Sequence, residues 1–371
     1  MKNTYGSILQ LTLFGESHGA CIGTVLDGLP AGFAVSMETM EKHLNQRRGG
    51  GPLSTKRAEA DIPHLVSGYF EGKTTGTPLT ILIENKDTRS QDYTALKDRL
   101  RPGHADWSAF EKYHGFQDYR GGGHFSGRLT APVVAAGSIC RQILESQGIF
   151  CSTHIVQLEN IEDEKFSSDP VLLKEQMAKI NDASFPVLNR RAAERMESAI
   201  LNASNDLDSV GGILETVVTG MPAGVGEPFF DSLESRLSHA LFSIPAVKGV
   251  SFGLGFGFAS LRGSAANDPI VLKEGKIVSQ TNNNGGINGG ISNGMPILFS
   301  TCIKPTPSIY QKQKSVSWSD KTQVELEIKG RHDPAIIHRA RAVVDAMTSF
   351  VLLDALMERQ GTEYFQKEFA Q

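Results

Sequence analysis

Hydrophobic and polar positions along the chain alternate between two periods, and that alternation predicts an α/β fold. Runs rich in β-branched and apolar residues, at 8–14, 22–26, 79–83 and 297–303, read as strands. Positions 37–44, 129–147, 233–241 and 335 to about 359 carry apolar residues at helical spacing. Pro334 stands where the first helical residue of the last of these is expected, with Asp333 as its cap. The run Gly253-Leu254-Gly255-Phe256-Gly257 reads as pleated chain with alternating glycine. Residues 280–294, crowded with asparagine and glycine, read as irregular chain, either a ligand loop or a loop tip.

The same punctuation occurs twice. Thr24-Val25-Leu26-Asp27-Gly28-Leu29-Pro30-Ala31-Gly32 returns in outline as Thr216-Val217-Val218-Thr219-Gly220-Met221-Pro222-Ala223-Gly224, and a helical pattern follows each copy. Thr75-Gly76-Thr77-Pro78 before a strand is matched by Asn293-Gly294-Met295-Pro296 before another. A looser pair sets the segment at 101–106 opposite 331–334. These ordered echoes, offset by roughly 190 to 230 positions, predict two similar halves. Residues 1–371 then form a single domain, with halves at about 1–150 and 210–360 and a polar, motif-free peripheral segment at about 160–209.

Composition narrows the classes of function. The 371 residues are 40% hydrophobic and 21% charged, with a formal net charge of −4. That balance argues against whole-protein attraction to nucleic acid or an anionic membrane, so any anion binding is local. No apolar run reaches the length of a membrane span and the first residues lack a signal-peptide pattern, which makes a cytoplasmic enzyme the expectation. Cys21, Cys140, Cys151 and Cys302 are scattered without metal-ligand spacing and read as reduced packing residues, with no metal site.

Chemistry concentrates in three loops. Gly15-Glu16-Ser17-His18-Gly19, Arg101-Pro102-Gly103-His104-Ala105-Asp106 and Gly330-Arg331-His332-Asp333-Pro334 each combine a proton-transfer group with glycine or proline, and two of the three add arginine. A fourth segment, Gly121-Gly122-Gly123-His124-Phe125-Ser126-Gly127-Arg128, feeds a helix start, where free backbone amides suit phosphate. Other phosphate signatures fail. Gly68 to Thr74 has one residue too few between its glycines for a P-loop, and Gly253 to Gly257 lacks the dinucleotide spacing. Arg47-Arg48-Gly49-Gly50-Gly51 allows an RNA-binding reading, but it is one short cluster without interleaved aromatics.

At these residues the chain resembles the chorismate synthase family. Residues 15–19, 101–106, Asp118-Tyr119-Arg120-Gly121-Gly122-Gly123, 126–128, Lys304-Pro305-Thr306 and 330–334 fall in family order from near residue 5 to about 359. The resemblance implies a β-α-β sandwich with helix-covered sheets, a homotetramer, and a 1,4-elimination of phosphate from 5-enolpyruvylshikimate 3-phosphate that needs reduced FMN without net redox change. It implies His18 as proton donor to the leaving phosphate and His104 beside the anionic reduced flavin. Asp333 would keep the flavin N5 receptive to the ring hydrogen, with Ser17 and Ser126 as relay hydroxyls. Arg47, Arg101, Arg128 and Arg331 would meet the substrate's anionic groups. His124, Phe125, Ser126, Pro245, Ala246, Gly289, Lys304, Pro305, Thr306, Pro307, Ser308 and Arg331 would hold FMN.

Three departures put parts of that scheme in question. His124-Phe125 stands where many members have Arg-Ser or Arg-Ala, Pro245 where asparagine or glutamine is usual, and Gly51-Pro52-Leu53 where a further arginine is common. Flavin contacts at these points are expected from backbone or are altered. Alternatives from the residues alone also stand: each histidine held inside its turn, each arginine in a surface ion pair, and Asp333 or Ser126 as a helix cap. An NADPH-dependent flavin oxidoreductase would use the same loops, although no nicotinamide fingerprint is present. NADPH also stands as a candidate reductant of FMN for the elimination itself.

Overall fold

The computed structural model describes residues 2–48, 53, 60–86, 98–328 and 332–369. Two five-stranded antiparallel sheets enclose a layer of helices. The first sheet contains β1 (Thr4–Tyr5), β2 (Gln10–Gly15), β3 (Cys21–Asp27), β4 (His64–Ser67) and β7 (Leu79–Glu84), in the order β1-β2-β3-β7-β4. A small hairpin, β5 (Tyr69–Phe70) and β6 (Lys73–Thr74), links β4 to β7. The second sheet contains β8 (Phe150–Leu158), β9 (Ile161–Glu162), β10 (Gly212–Thr219), β11 (Val247–Phe252) and β16 (Ile297–Ile303), in the order β11-β16-β10-β8-β9. Three further hairpins follow in the chain: β12 (Ile270–Lys273) with β13 (Lys276–Ser279), β14 (Ile287–Asn288) with β15 (Ile291–Ser292), and β17 (Gln313–Ser317) with β18 (Thr322–Leu326).

The helices are α1 (Met37–Arg48), α2 (Asp106–Tyr113), α3 (Thr130–Ser146), α4 (Pro170–Asp182), α5 (Arg190–Asn205), α6 (Leu233–Ser243), α7 (Gly263–Ala266) and α8 (Ile337–Phe369). Among them α1, α3, α6 and α8 pack on one another, and α3 touches both sheets. Helix α3 is buried nearly all round, which its composition of alanine, valine and isoleucine allows. At Gly137 a Cβ would lie 2.4 Å from the Cβ of Ala346, so α3 and α8 meet at backbone contact distance.

The strand order β2-β3-β7-β4 in one sheet matches β8-β10-β16-β11 in the other. The recurrent sequences occupy equivalent places: Thr24 pairs with Ile81, and Thr216 pairs with Phe299. Gly32 and Gly224 have φ of 87° and 90°, a conformation that L side chains rarely adopt, and their amides bond to Thr74 and Ser292 carbonyls. The echo in sequence is therefore a repeated turn geometry. Inside-facing residues of β7 and β16 alternate as the strand period requires, with Leu79, Ile81, Ile83 and Ile297, Phe299, Ile303 in the core.

Three expectations need correction. Helix α8 starts at Ile337 and not at Ala335, because the backbone turns in from an irregular segment after Pro334, and it runs on to Phe369. Only the chain up to Phe252 is strand; Gly253 and Gly255 have φ of 55° and 54° and lead into a 3₁₀ turn. Within residues 280–294 the β14–β15 hairpin is regular structure. There Asn283 and Asn284 anchor the loop to the Asp268 carboxylate.

The segment at about 160–209 forms α4 and α5, capped by Asp169 and Asn189. Helix α4 packs on β8, and the buried Arg341 guanidinium of α8 donates to the Ile180 carbonyl at its C-terminus (2.7 Å). No helix among the described residues is long and apolar enough to cross a membrane.

A buried ionic trio ties this layer to the second sheet. His154 on β8 lies 3.3 Å from Asp163 at Nδ1 and 3.0 Å from Glu215 at Nε2. Burial opposes the charged imidazole, but the nearby Asp163 carboxylate and the hydrogen-bonded Glu215 carboxylate outweigh it and raise the His154 pKa. The stabilisation is fully present below the unfolded value near 6.5 and is lost as pH rises through the raised folded value. Urea unfolding at about pH 6 and about pH 9 is expected to show the parent weakening at the higher pH. His154→Gln should lack that dependence and be about 3 kcal/mol less stable at the lower pH.

Candidate active site

The β2–β3 hairpin loop is held against the glycine turn that precedes α3. Ser17 N donates to the Gly123 carbonyl (3.1 Å), and His124 Nδ1 bonds to the Gly15 carbonyl (2.8 Å). Gly121, Gly122 and Gly123 have φ of 59°, 83° and 53°, so three consecutive residues adopt the left-handed region. At Gly121 a Cβ would fall 2.3 Å from His18 Cε1 and 2.8 Å from Ser17 Oγ. The imidazole therefore rests on bare backbone, and both Ser17 and His18 are buried. Ser126 caps the next 3₁₀ turn, its Oγ accepting from Arg128 N (3.3 Å), and α3 begins at Thr130.

A second group lines, together with this turn, a cavity of about 780 Å³. His104 Nε2 lies 2.6 Å from Ser308 Oγ, and Lys304 Nζ donates to the Gly103 carbonyl (2.7 Å). Gly103 leaves room for Pro307, whose Cβ would stand 2.8 Å from any Cβ placed there. Burial first, then the positive charge of Arg101, brings the His104 pKa down to about 4, against the opposing pull of Asp106. In this state the imidazole is neutral at physiological pH. His332 is lowered in the same way, by burial and then by Arg101.

Of the residues singled out in the sequence, Arg101, His104, His124, Phe125, Ser126, Pro245, Ala246, Lys304 and Pro307 line this cavity. Ala246 has a φ of 75°, and its carbonyl accepts from Lys304 N (2.9 Å), so this wall presents backbone. Ser17 and His18 stand behind Gly121, and Ser308 behind His104. Pro305 and Thr306 lie in the same strand-exit segment, where the Thr306 carbonyl accepts from Ser209 Oγ (2.7 Å). Gly289 is elsewhere: with Gly290 it forms the two-residue turn of β14–β15, φ 61° and 87°, and the turn itself accounts for the glycine. Arg331 lies outside the described residues.

The described arginines among these are engaged with carboxylates. Arg101 makes a two-toothed bond to Asp106, 2.8 Å from Nε and 2.7 Å from Nη2. Arg47 and Arg128 are buried and share Asp61, Arg47 Nη1 at 2.8 Å from Oδ2 and Arg128 Nη1 bonded to Oδ1. Asp333 is not a helix cap; its carboxylate pairs with Arg339, which also donates to the Arg47 carbonyl (2.9 Å). Asp61, Asn85 and Arg339 are parts of this region that motif reading did not pick out. A polar residue in an unpatterned segment carries no sign that two arginines will close on it.

These features define an enzyme for a small-molecule substrate: His104 in the cavity wall, His18 seated behind Gly121, cations around and behind them, and backbone laid bare by glycine. The starts of α3 and α8 also converge here through Arg47, and their positive dipole ends favour negative charge. The chorismate synthase family model matches residues 9–357. A chorismate synthase of Pyrococcus abyssi is 46% identical over 358 residues, covering 96% of this chain and 98% of that protein. Those of Dehalococcoides mccartyi and Methanococcoides burtonii are each 43% identical, over 95% and 96% of this chain and 96% of each relative. A crystal structure of chorismate synthase superposes with a TM-score of 0.75 at 28% identity, covering 96% of this chain and 93% of that one. The chain belongs to the chorismate synthase family. It is an enzyme, a carbon–oxygen lyase acting on phosphates, at the last step of the shikimate pathway.

Gly121→Ala should keep the fold and lower kcat by about 100-fold, because a misplacement of about an ångström at the chemistry costs that much. Steady-state kinetics beside a thermal melt would check it; a kcat equal to the parent's would show that His18 does not need the bare backbone.

Proposed function

We propose that the cavity binds 5-enolpyruvylshikimate 3-phosphate together with reduced FMN and eliminates phosphate across the ring to give chorismate. The observation that carries this reading is that the His104 loop lines one cavity together with the Gly121–Ser126 turn, on whose bare backbone His18 is seated. The residues present suit a flavin nucleotide. Leu129, Val133, Ala246 and Pro307 offer apolar wall, Gly121 and Gly122 offer backbone without side chain, and Lys304 offers a cation for a phosphate. His104 and the backbone around Ser126 and Ala246 would face the ring, with Pro245 and Phe125 beside it.

Reduced FMN, when bound, supplies electron density that eases C–O cleavage and an acceptor for the ring hydrogen. The protein's own part is binding, orientation and proton placement. Arg101, Lys304 and Arg331 balance the substrate's carboxylates and phosphate, while Arg47 and Arg128 add positive potential from behind the Ser126 turn. His18, with Ser17, delivers a proton to the leaving phosphate oxygen. His104, neutral in the protein alone, would hold the anionic reduced flavin by a hydrogen bond, and the flavin's charge would favour its protonated form. Asp333, fixed by Arg339, serves as the relay carboxylate on the flavin side, and Ser126 as a hydroxyl between.

We further read residues 1–371 as one domain of two pseudo-equivalent halves, a homotetramer acting in the cytoplasm, with NADPH as a candidate source of reducing equivalents. Anaerobic phosphate release with reduced and with oxidised FMN tests the activity. Release only with reduced flavin, and slowed at least about 100-fold in His18→Ala, is the expected result. NADPH oxidation without substrate and without phosphate release would favour the oxidoreductase alternative instead.

A further inference from the structure

Asp61 is a fully enclosed charge next to the site, and nothing in the proposed chemistry employs it. Its side chain is fully buried, and its φ of 45° places a non-glycine residue in the left-handed region, which aspartate tolerates at some cost. Each carboxylate oxygen takes one guanidinium. The far sides of both guanidiniums are tied as well. Arg47 Nε donates to Thr130 Oγ1 (2.9 Å), and its Nη2 reaches the Gly127 and Arg128 carbonyls (3.4 and 3.3 Å). Arg128 Nε donates to Asn85 Oδ1 (3.1 Å), and its Nη2 donates to the Glu84 carbonyl (3.2 Å) at the end of β7.

The bonded groups fall on three elements: the end of α1, the end of β7, and the turn from Ser126 to Thr130 that opens α3. Ser126, Gly127 and Thr130 form cavity wall, whereas Arg47, Arg128 and Asp61 do not line it. The clasp thus grips the wall from behind. Two buried guanidiniums beside each other repel unless an anion lies between them, and a carboxylate with one oxygen for each also fixes their directions.

We infer that Asp61 is a positioning residue: its carboxylate locks Arg47 and Arg128 so that the Ser126–Thr130 turn, and Ser126 Oγ with it, holds the place the elimination requires. The inference rests on the reading of this cavity as the elimination site. It assigns the two arginines a supporting role behind the wall in addition to their charge.

The test uses Asp61→Asn and Asp61→Glu in the full chain, assayed for anaerobic phosphate release with reduced FMN, each rate divided by the folded fraction from thermal unfolding. Release by the parent establishes the activity, so a silent parent counts against the proposed function and not against the clasp. With an active parent, Asp61→Asn should lower kcat per folded molecule by about 100-fold while KM for the substrate changes by less than about 3-fold. No charged group at the cavity surface is removed; the turn that carries Ser126 shifts, so the loss falls on kcat. Asp61→Glu keeps the charge but moves the oxygens by one methylene, and its kcat should fall about 10-fold. A kcat per folded molecule equal to the parent's in either variant overturns the inference, as does a rise in KM with kcat unchanged. If Asp61→Asn does not fold, the glutamate variant decides by the same criterion.

Discussion

The contact on which the rest of the structure depends is the crossing of α3 and α8 at Gly137 and Ala346. No side chain larger than hydrogen fits at that point of α3, so two buried helices approach closely enough for the sheets outside them to share one core. Each half supplies one of the two helices, and each helix follows the strands of its own half. The crossing fixes the relation between the halves, and with it the place where the two helix starts come together. Arg47, reaching Thr130 at the start of α3 and receiving Arg339 from the start of α8, sits at that meeting point.

Charge follows from that geometry. Two helix N-termini, each equivalent to about half a positive charge, and three buried or half-buried arginines converge beside one cavity. Leaving them uncompensated would cost more than packing could return, and Asp61 and Asp333 offset part of the excess. What remains is a positive environment behind a wall of glycine and small residues. Such a wall permits close approach of a ligand to backbone, and the field behind it favours anions without presenting long side chains to the ligand. Around His104 the balance runs the other way. There burial and the neighbouring Arg101 keep His104 neutral.

The sequence made much of this legible where local chemistry dictates local structure. The strands at 79–83 and 297–303 and the helices at 129–147 and 233–241 follow from periodicity, and the paired Gly-Pro turns mark equivalent corners of two sheets. The histidine loops and the triple glycine stand out because each sets proton-transfer groups or bare backbone among turn residues. What periodicity could not supply were long-range partners. That Asp61 would serve two arginines depends on three elements distant in sequence closing on it. Asp333 looks like a cap because it precedes a proline, yet the helix begins four residues later and the carboxylate turns to Arg339. Gly289 has the composition of a ligand loop and the conformation of a hairpin turn, and only the backbone distinguishes them.

The central claim is that both histidine loops serve one reaction in one cavity. The most direct measurement is a crystal structure of the protein with FMN and 5-enolpyruvylshikimate 3-phosphate bound together under anaerobic, oxidised-flavin conditions that prevent turnover. The account predicts density for both molecules between the Gly121–Ser126 turn and the His104, Lys304 wall, with the substrate phosphate on the His18 side. Density for either molecule outside that cavity, or a substrate phosphate lodged on the His104 side away from Gly121, would contradict it.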